Sequence, residues 1–481
     1  MQLLLEYLSF ACTGTGQATF YNSNQEQEAV LAQLHNAALA ENRRIYGLSA
    51  LLPINDRSKQ LILLNLLISG RQTQDVAGEW LLIQAIAQTL PFNRLLNLFK
   101  EIQQLGVNNA RTRRLGKWLW HRYSDAYRVI KYRAKFRAVL RHCHVPEGDN
   151  PAKAELHRWV FGKLTKAEAV QYNPLLAARL SAGQNYEALF GLPFDIARDI
   201  AVCQHQRPAS EFTQEFATRG KLTRKEQLRA QATAGVEVNY HKFSLLELLR
   251  HLYQHITEWK AIAPVLDAKA NSLAEQLNLP PKVALVVDNS QSAIGAKERL
   301  YYPLAVIEAI ARLCLAAKNS TVQAFYVGEP LNHSWLKAAG GTELRKPLAQ
   351  AIASRPDLVL ILSDGYENTS AGSIAQILNT TAVRNSGIAF IHLNPVAAAE
   401  SIGVRKIANI PTFGLSAPEQ FPLIVLLGRA YTEPAILETF FDSIEQALKG
   451  GVYAARLTTR LSSPLPADSG EYDSSAFVEA V

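Results

Sequence analysis

The chain has 481 residues, 48% hydrophobic and 19% charged, with a formal net charge of +8 and four cysteines. That length exceeds one ordinary core and that hydrophobic fraction excludes wholesale disorder, so at least two folded domains are expected. Cys12, Cys143, Cys203 and Cys314 are widely spaced and form no CxxC pair, which excludes a disulfide scaffold and fits a reducing, cytoplasmic setting.

The N-terminal run from Met1 to Phe10 is apolar, but it opens on no basic residue, is interrupted by Glu6 and leads to no cleavage signal. No stretch of about 18 apolar residues occurs, so neither a secretory peptide nor a membrane span is expected, and no membrane partner. Onward to residue 278, apolar residues recur at helical steps over 25–41, 58–69, 76–90, 94–105, 114–142, 174–180, 243–259 and 261–277. Strand signals are rare there. The spacing predicts an all-α array over residues 1–278, without a clean repeat period.

Charge is concentrated in this part. Residues 1–280 hold 34 Lys and Arg against 24 Asp and Glu, while the remainder holds 16 against 18. The densest stretch, from Arg111 to His144, has eleven basic residues and a single acid, Asp125. Val129, Tyr132, Phe136, Val139 and Leu140 form an apolar stripe at helical spacing. Arg133, Arg137 and Arg141 follow each other beside it at i, i+4 and i+8, with Lys131 and Lys135 on the other flank. Like charges so placed repel by a few tenths of a kcal/mol per pair, which an anionic partner would offset. Trp118, Trp120, Tyr123, Tyr127 and Tyr132 are interleaved with the charges, and basic groups beside aromatic rings suit single-stranded nucleic acid. The competing interpretation is a solvated helix face whose aromatics are core.

A second basic patch comprises Arg219, Lys221, Arg224, Lys225 and Arg229, with Glu226 as its only acid, and the Thr223-to-Glu226 spacing suggests a capped helix start. His142-Cys143-His144 lacks the paired spacing of a closed zinc site, and adjacent helical residues do not share a face. A structural role is expected for it.

Pro280-Pro281 changes the rhythm. Strands are expected over 282–287, 321–327, 358–362 and 388–393, alternating with helices over 299–317, 343–353 and 373–381. A last helix over 433–449 precedes a mobile extension, residues 451–481. This alternation predicts an α/β doubly wound, Rossmann-like domain over 280–450. The expected fold class is therefore multi-domain: an all-α array followed by an α/β domain.

Polar clusters fall where the expected strands stop: Asp288-Asn289-Ser290-Gln291-Ser292, the turn Gly340-Gly341-Thr342, and Ser363-Asp364-Gly365. Ligands of open α/β sheets bind outside the carboxyl ends of the strands. Asp288, Ser290, Ser292, Thr342 and Asp364 offer oxygen donors alone, which suits a hard cation such as magnesium and not zinc or copper. Such residues also cap and turn backbones after strands, and that is the plain alternative. An enzymatic reading makes Asp288 the nucleophile of a dehalogenase-like phosphatase, but Ser290 stands where a second Asp is needed for acid–base work. No catalytic residues are expected.

Over residues 280 to 445 this combination resembles the von Willebrand factor A-type domain and its metal-ion-dependent adhesion site. Asp288, Ser290, Ser292, Thr342 and Asp364 match that motif in type and order, while Asn289, Gln291 and Ala293 depart from its usual neighbours. The resemblance implies a magnesium ion that binds an acidic group of a partner and does no bond chemistry.

A basic helical part before such a domain is similar to the Ro ribonucleoprotein family, whose first part is the TROVE domain. The segment Tyr127 to His144, with Lys131-Tyr132-Arg133 and Arg141-His142-Cys143-His144, carries that resemblance. It implies a HEAT-like helical ring and binding of small noncoding or single-stranded RNA, with Lys131, Arg133, Lys135, Arg137 and Arg141 as contacts. The expected function is that of a non-enzymatic RNA-binding ribonucleoprotein component. The alternative is a protein-interaction adaptor, such as an ATPase partner, that docks acidic groups at the metal site.

Overall fold

The computed structural model describes residues 2–15, 17, 23–70, 73–223, 226–227, 230–231, 234–236, 238–275, 277, 279–295, 297–329, 331, 335–367, 372–396, 404–432 and 434–450. The expected extension, residues 451–481, lies outside them, as do Arg224, Lys225 and Arg229 of the second basic patch.

The chain is mostly helical, with one five-stranded parallel sheet. Strands β1 (Lys282–Val287), β2 (Thr321–Tyr326), β3 (Leu358–Leu362), β4 (Ala389–Asn394) and β5 (Thr412–Gly414) lie in the order β2-β1-β3-β4-β5. Residues from Val283 to Val287 and all of β3 are buried. Successive strand residues point to opposite faces. Ala284, Val286, Val359 and Ile361 pack with Leu344, Leu348, Ala351, Ile374 and Leu378 of the helices Arg345–Ala353 and Ser373–Leu378 and the turn before the first. The helix Tyr302–Leu315 also packs on β1 and β2. A parallel sheet buried on both faces reads as unbroken aliphatic runs, which is what made β1 and β3 visible in the sequence. Elements not anticipated in this part include β5, too short at three residues to show alternation, and the helix Phe421–Thr432.

The compact units depart from the expected boundary near residue 280. One comprises Met1–Leu66, Thr73–Pro91 and the chain from Ser244 onward, and the other comprises Leu67–Gln72 and Phe92–Phe243. The reason lies in side-chain contacts of the first and last helices of the expected array. The apolar N-terminal run forms the helix Gln2–Thr13, with Leu4, Leu5, Tyr7, Leu8 and Phe10 buried. Ser9 of this helix bonds to the backbone of β5. The helices Leu245–Gln254 and Trp259–Ala274 pack on Tyr302–Leu315, where buried Glu308 accepts from the Tyr253 hydroxyl and from Arg312 Nε at 2.7 Å.

In the second unit the expected continuous helix over 114–142 is three helices, Ala110–Tyr123, Ala126–Lys131 and Arg133–His142. Asp125 causes the first break by capping the second helix, its carboxylate accepting from Arg128 N at 2.9 Å. Tyr132, at φ −120° and ψ 29°, makes the second. Pro151–Val160, Phe194–Cys203 and Ala209–Arg219 are further helices the periodicity did not reveal.

Candidate functional site

Strand order reverses between β1 and β3, and the crevice outside the carboxyl ends of two such strands is the usual ligand position of an open α/β sheet. Asp288 follows β1 directly, its N–H donating to Leu362 O at 2.9 Å, and Asp364 stands two residues beyond the end of β3. Ser290, Ser292 and Thr342 join them. Thr342 Oγ1 donates to Ser290 Oγ at 2.9 Å, Ser290 and Ser292 hydroxyls lie 3.2 Å apart, and Ser290 N donates to Asp288 Oδ1 at 3.1 Å. The Ser292 hydroxyl lies close enough to Asp364 to favour its charged form. All five predicted ligands are buried and meet at one place, with Asp288 1% and Asp364 4% exposed.

Buried carboxylates need compensation. Burial pushes both carboxyls above the ordinary carboxylate range, and for Asp364 the neighbouring Asp288 charge adds to it, giving about 7 against the opposing pull of Ser292 and Arg405. Among the described residues no group of three or more His, Cys, Asp or Glu is placed to hold a metal ion. The donors here are therefore two carboxylates and three hydroxyls, all hard oxygens. That set fits magnesium, which prefers a few carboxylates and otherwise neutral oxygen ligands.

Several supporting residues carry no mark in the motif. Ser363 Oγ donates to Asp288 Oδ2 at 2.7 Å and receives Gly365 N at 3.1 Å, fixing the carboxylate from the β3 side. Asn289, which in sequence was only a departure, clamps the surrounding loops. Its Oδ1 accepts from Gly328 N at 2.8 Å, and its Nδ2 donates to Glu329 O at 2.9 Å and Lys337 O at 3.0 Å. A polar residue between Asp and Ser in that loop was the available signal. Gly340 holds a left-handed φ of 72° while its carbonyl receives Gln291 N at 3.1 Å, a turn that favours glycine. Asn394 Nδ2 donates to Asp364 O at 3.0 Å from β4.

The predicted basic row is largely engaged within its own unit. Arg133 Nη2 donates to Trp159 O at 2.7 Å and Arg137 Nε to Val160 O at 2.8 Å, so both guanidinium groups cap the carboxyl end of the helix Pro151–Val160. Arg133 also lies 4.4 Å over the Trp159 ring. Lys131 pairs with the buried Glu226 at 3.3 Å, where burial opposes its charge but the carboxylate outweighs it and raises its pKa. Lys135 donates to Asn97 at 2.7 Å and to Asn93. Arg141 is the exposed member, its guanidinium 5.8 Å from the Phe161 ring. In the second patch Arg219 pairs with Glu187 and Glu215, and Thr223 N donates to Glu226 at 2.7 Å as the capping pattern suggested. His142 Nε2 meets Val107 O at 2.8 Å and the buried Cys143 thiol meets Thr112 O at 3.5 Å, which gives both structural work. All four cysteines are free. Among the described residues no helix is long and apolar enough to cross a membrane.

No known family model matches the chain, and no curated protein is detectably similar to it.

Proposed function

We propose that the chain is a non-enzymatic, cytoplasmic RNA-binding component of a ribonucleoprotein, of the TROVE plus von Willebrand A-type organisation, that takes small noncoding or single-stranded RNA on its basic helical unit. One observation carries this reading: the charge partition follows the compact units more sharply than the sequence halves. Leu67–Gln72 and Phe92–Phe243 hold 27 Lys and Arg against 13 Asp and Glu, a balance of +14, and the rest of the chain is left at −6. A compact unit with that excess suits a polyanion, whose phosphates would supply most of the affinity. The α/β unit supports the second half of the reading, with Asp288, Ser290, Ser292, Thr342 and Asp364 able to hold magnesium, which when bound offers a further coordination position to an acidic group.

Binding of the full chain to a fluorescent single-stranded RNA, followed as salt rises from about 50 to 200 mM, tests the proposal. The expected result is an affinity loss of about a thousandfold or more over that range, as for six or more phosphate contacts. No RNA binding at 50 mM salt sinks it. The adaptor reading is favoured by the same buried carboxylate pair, because an acidic protein group would complete a magnesium shell. It gains if RNA fails to bind and a glutamate-rich peptide binds only with magnesium present.

A further inference from the structure

The aromatic residues interleaved with the charges fall into two classes. Trp120 and Phe136 are buried, 2% and 0% exposed, with ring centroids 5.6 Å apart, and belong to the core. From Phe136 the cluster continues outward to Phe92 at 5.7 Å, and from Phe92 to Tyr123 at 5.3 Å and Tyr132 at 5.5 Å. Trp118 meets Tyr123 edge-on at 5.7 Å. These outer rings are half-buried. The Arg128 guanidinium lies 5.4 Å from the Tyr123 ring and 5.7 Å from Phe92; it pairs with Asp125 at 2.6 Å, and its side chain is still 45% exposed.

The helix Ala110–Tyr123 sets charges around these rings. Arg114, Trp118 and Arg122 stand at i, i+4 and i+8, so the Trp118 ring lies between two basic positions on one face, with Lys117 beside them. Arg114, Lys117 and Arg122 are exposed. This differs from the helix Arg133–His142, where two arginines are tied to backbone carbonyls and only Arg141 is exposed. A core needs its rings inside. Half-exposed rings set among cations offer faces for stacking and charges for phosphate together.

We infer that Trp118 and Tyr123, flanked by Arg114, Lys117, Arg122 and Arg128, form the platform on which bases of single-stranded RNA stack. The inference rests on the RNA reading and places the contact on the helix Ala110–Tyr123 and on Arg128, ahead of the row Arg133, Arg137 and Arg141. Stacking requires unpaired bases, so the platform selects single strands from duplexes, which charge alone does not do.

The test compares the full-length chain's affinity for three probes of equal charge: a single-stranded oligoadenylate, an RNA duplex and an inorganic polyphosphate. Wild type should bind the oligoadenylate about tenfold more tightly than the other two. Trp118→Leu and Tyr123→Leu should each lower oligoadenylate affinity about tenfold, with the polyphosphate affinity and the salt slope retained. Trp118→Phe and Tyr123→Phe keep a stacking face and should restore most of the loss. If Trp118→Leu does not fold, judged by its melting curve, Tyr123→Leu and the two Phe variants still answer. Equal wild-type affinity for oligoadenylate and polyphosphate, or Leu variants that bind oligoadenylate like wild type, overturns the platform and leaves the polyanion reading standing. Failure to bind any of the three overturns both.

Discussion

Ser9 and Gly414 stand 405 positions apart and share a hydrogen bond of 2.8 Å, Gly414 N donating to Ser9 Oγ. The same hydroxyl donates to Thr412 O at 3.2 Å, so one serine satisfies two outward backbone groups of a three-residue edge strand. The close approach depends on glycine: a Cβ at Gly414 would lie 2.2 Å from Ser9 O and 2.8 Å from Thr13 Oγ1. Backbone cannot yield as a flexible side-chain end would. Gly414→Ala should therefore destabilise the chain by about 1–3 kcal/mol through overpacking. Ser9→Ala should cost about 1–2 kcal/mol by leaving two buried backbone groups unmet. Urea unfolding of both variants checks this, and a Gly414→Ala midpoint equal to wild type would refute the contact.

The carboxylate pair makes a prediction of opposite sign in the absence and presence of metal. Asp288 and Asp364 are both buried, and the Asp288 charge raises the cost of ionising Asp364. Asp364→Asn removes one of two like charges while keeping the shape, so the magnesium-free protein should become more stable, by about 1–3 kcal/mol. Millimolar magnesium should then raise the melting temperature of wild type and leave Asp364→Asn unmoved. A variant that melts lower than wild type in chelator shows that the charge is compensated by the protein itself, against this reading.

The contrast between these two places explains what the sequence could disclose. β1 and β3 are runs of Val, Leu and Ile ending in polar turns, so strand, boundary and candidate donor positions are all local signals. The five oxygen donors follow at once, because their types and order are written in three short clusters. Ser9 carries no such mark, since its role exists only when residues 403 and 405 positions away meet it. The same holds for Arg133 and Arg137, whose acceptors are carbonyls of Trp159 and Val160 that any residue type could supply. Charge was legible, and its engagement was not. Asp125 stood in the sequence only as the lone acid of its stretch, and the apolar stripe around it concealed the helix start that it caps.

A pH dependence follows from His35, buried in the unit that contains the sheet. Its Nδ1 lies 2.8 Å from the Tyr46 hydroxyl, and its ring packs edge-on at 5.1 Å from Tyr7 and 5.6 Å from Tyr46. Burial, with the nearby Arg57 charge, lowers its pKa from 6.5 to about 3. The folded state therefore holds the neutral ring while the unfolded chain takes a proton below about pH 6.5. Stability is complete above that value and falls as pH drops towards about 3, by about 1.4 kcal/mol per unit within the window. Between pH 7 and pH 5 the loss from this group is about 2 kcal/mol. His35→Phe should flatten that part of the unfolding profile, and an unchanged slope would show that other groups set it.

The basic row separates stability from binding. Arg133 caps a helix end and stacks on Trp159, so Arg133→Ala should lower stability by about 1–3 kcal/mol by stranding the Trp159 carbonyl. Its RNA affinity, measured well below its melting temperature, should stay within about twofold of wild type. Arg141 is exposed and caps nothing, so Arg141→Glu should leave stability within about 0.5 kcal/mol. If RNA tracks that flank, Arg141→Glu should weaken binding and reduce the salt slope by about 1. Parallel denaturation and salt-titrated binding of the two variants distinguish the roles. An Arg133→Ala protein of wild-type stability that has lost RNA would return this residue to the ligand surface, because only a guanidinium not committed to Trp159 O is free to meet a phosphate.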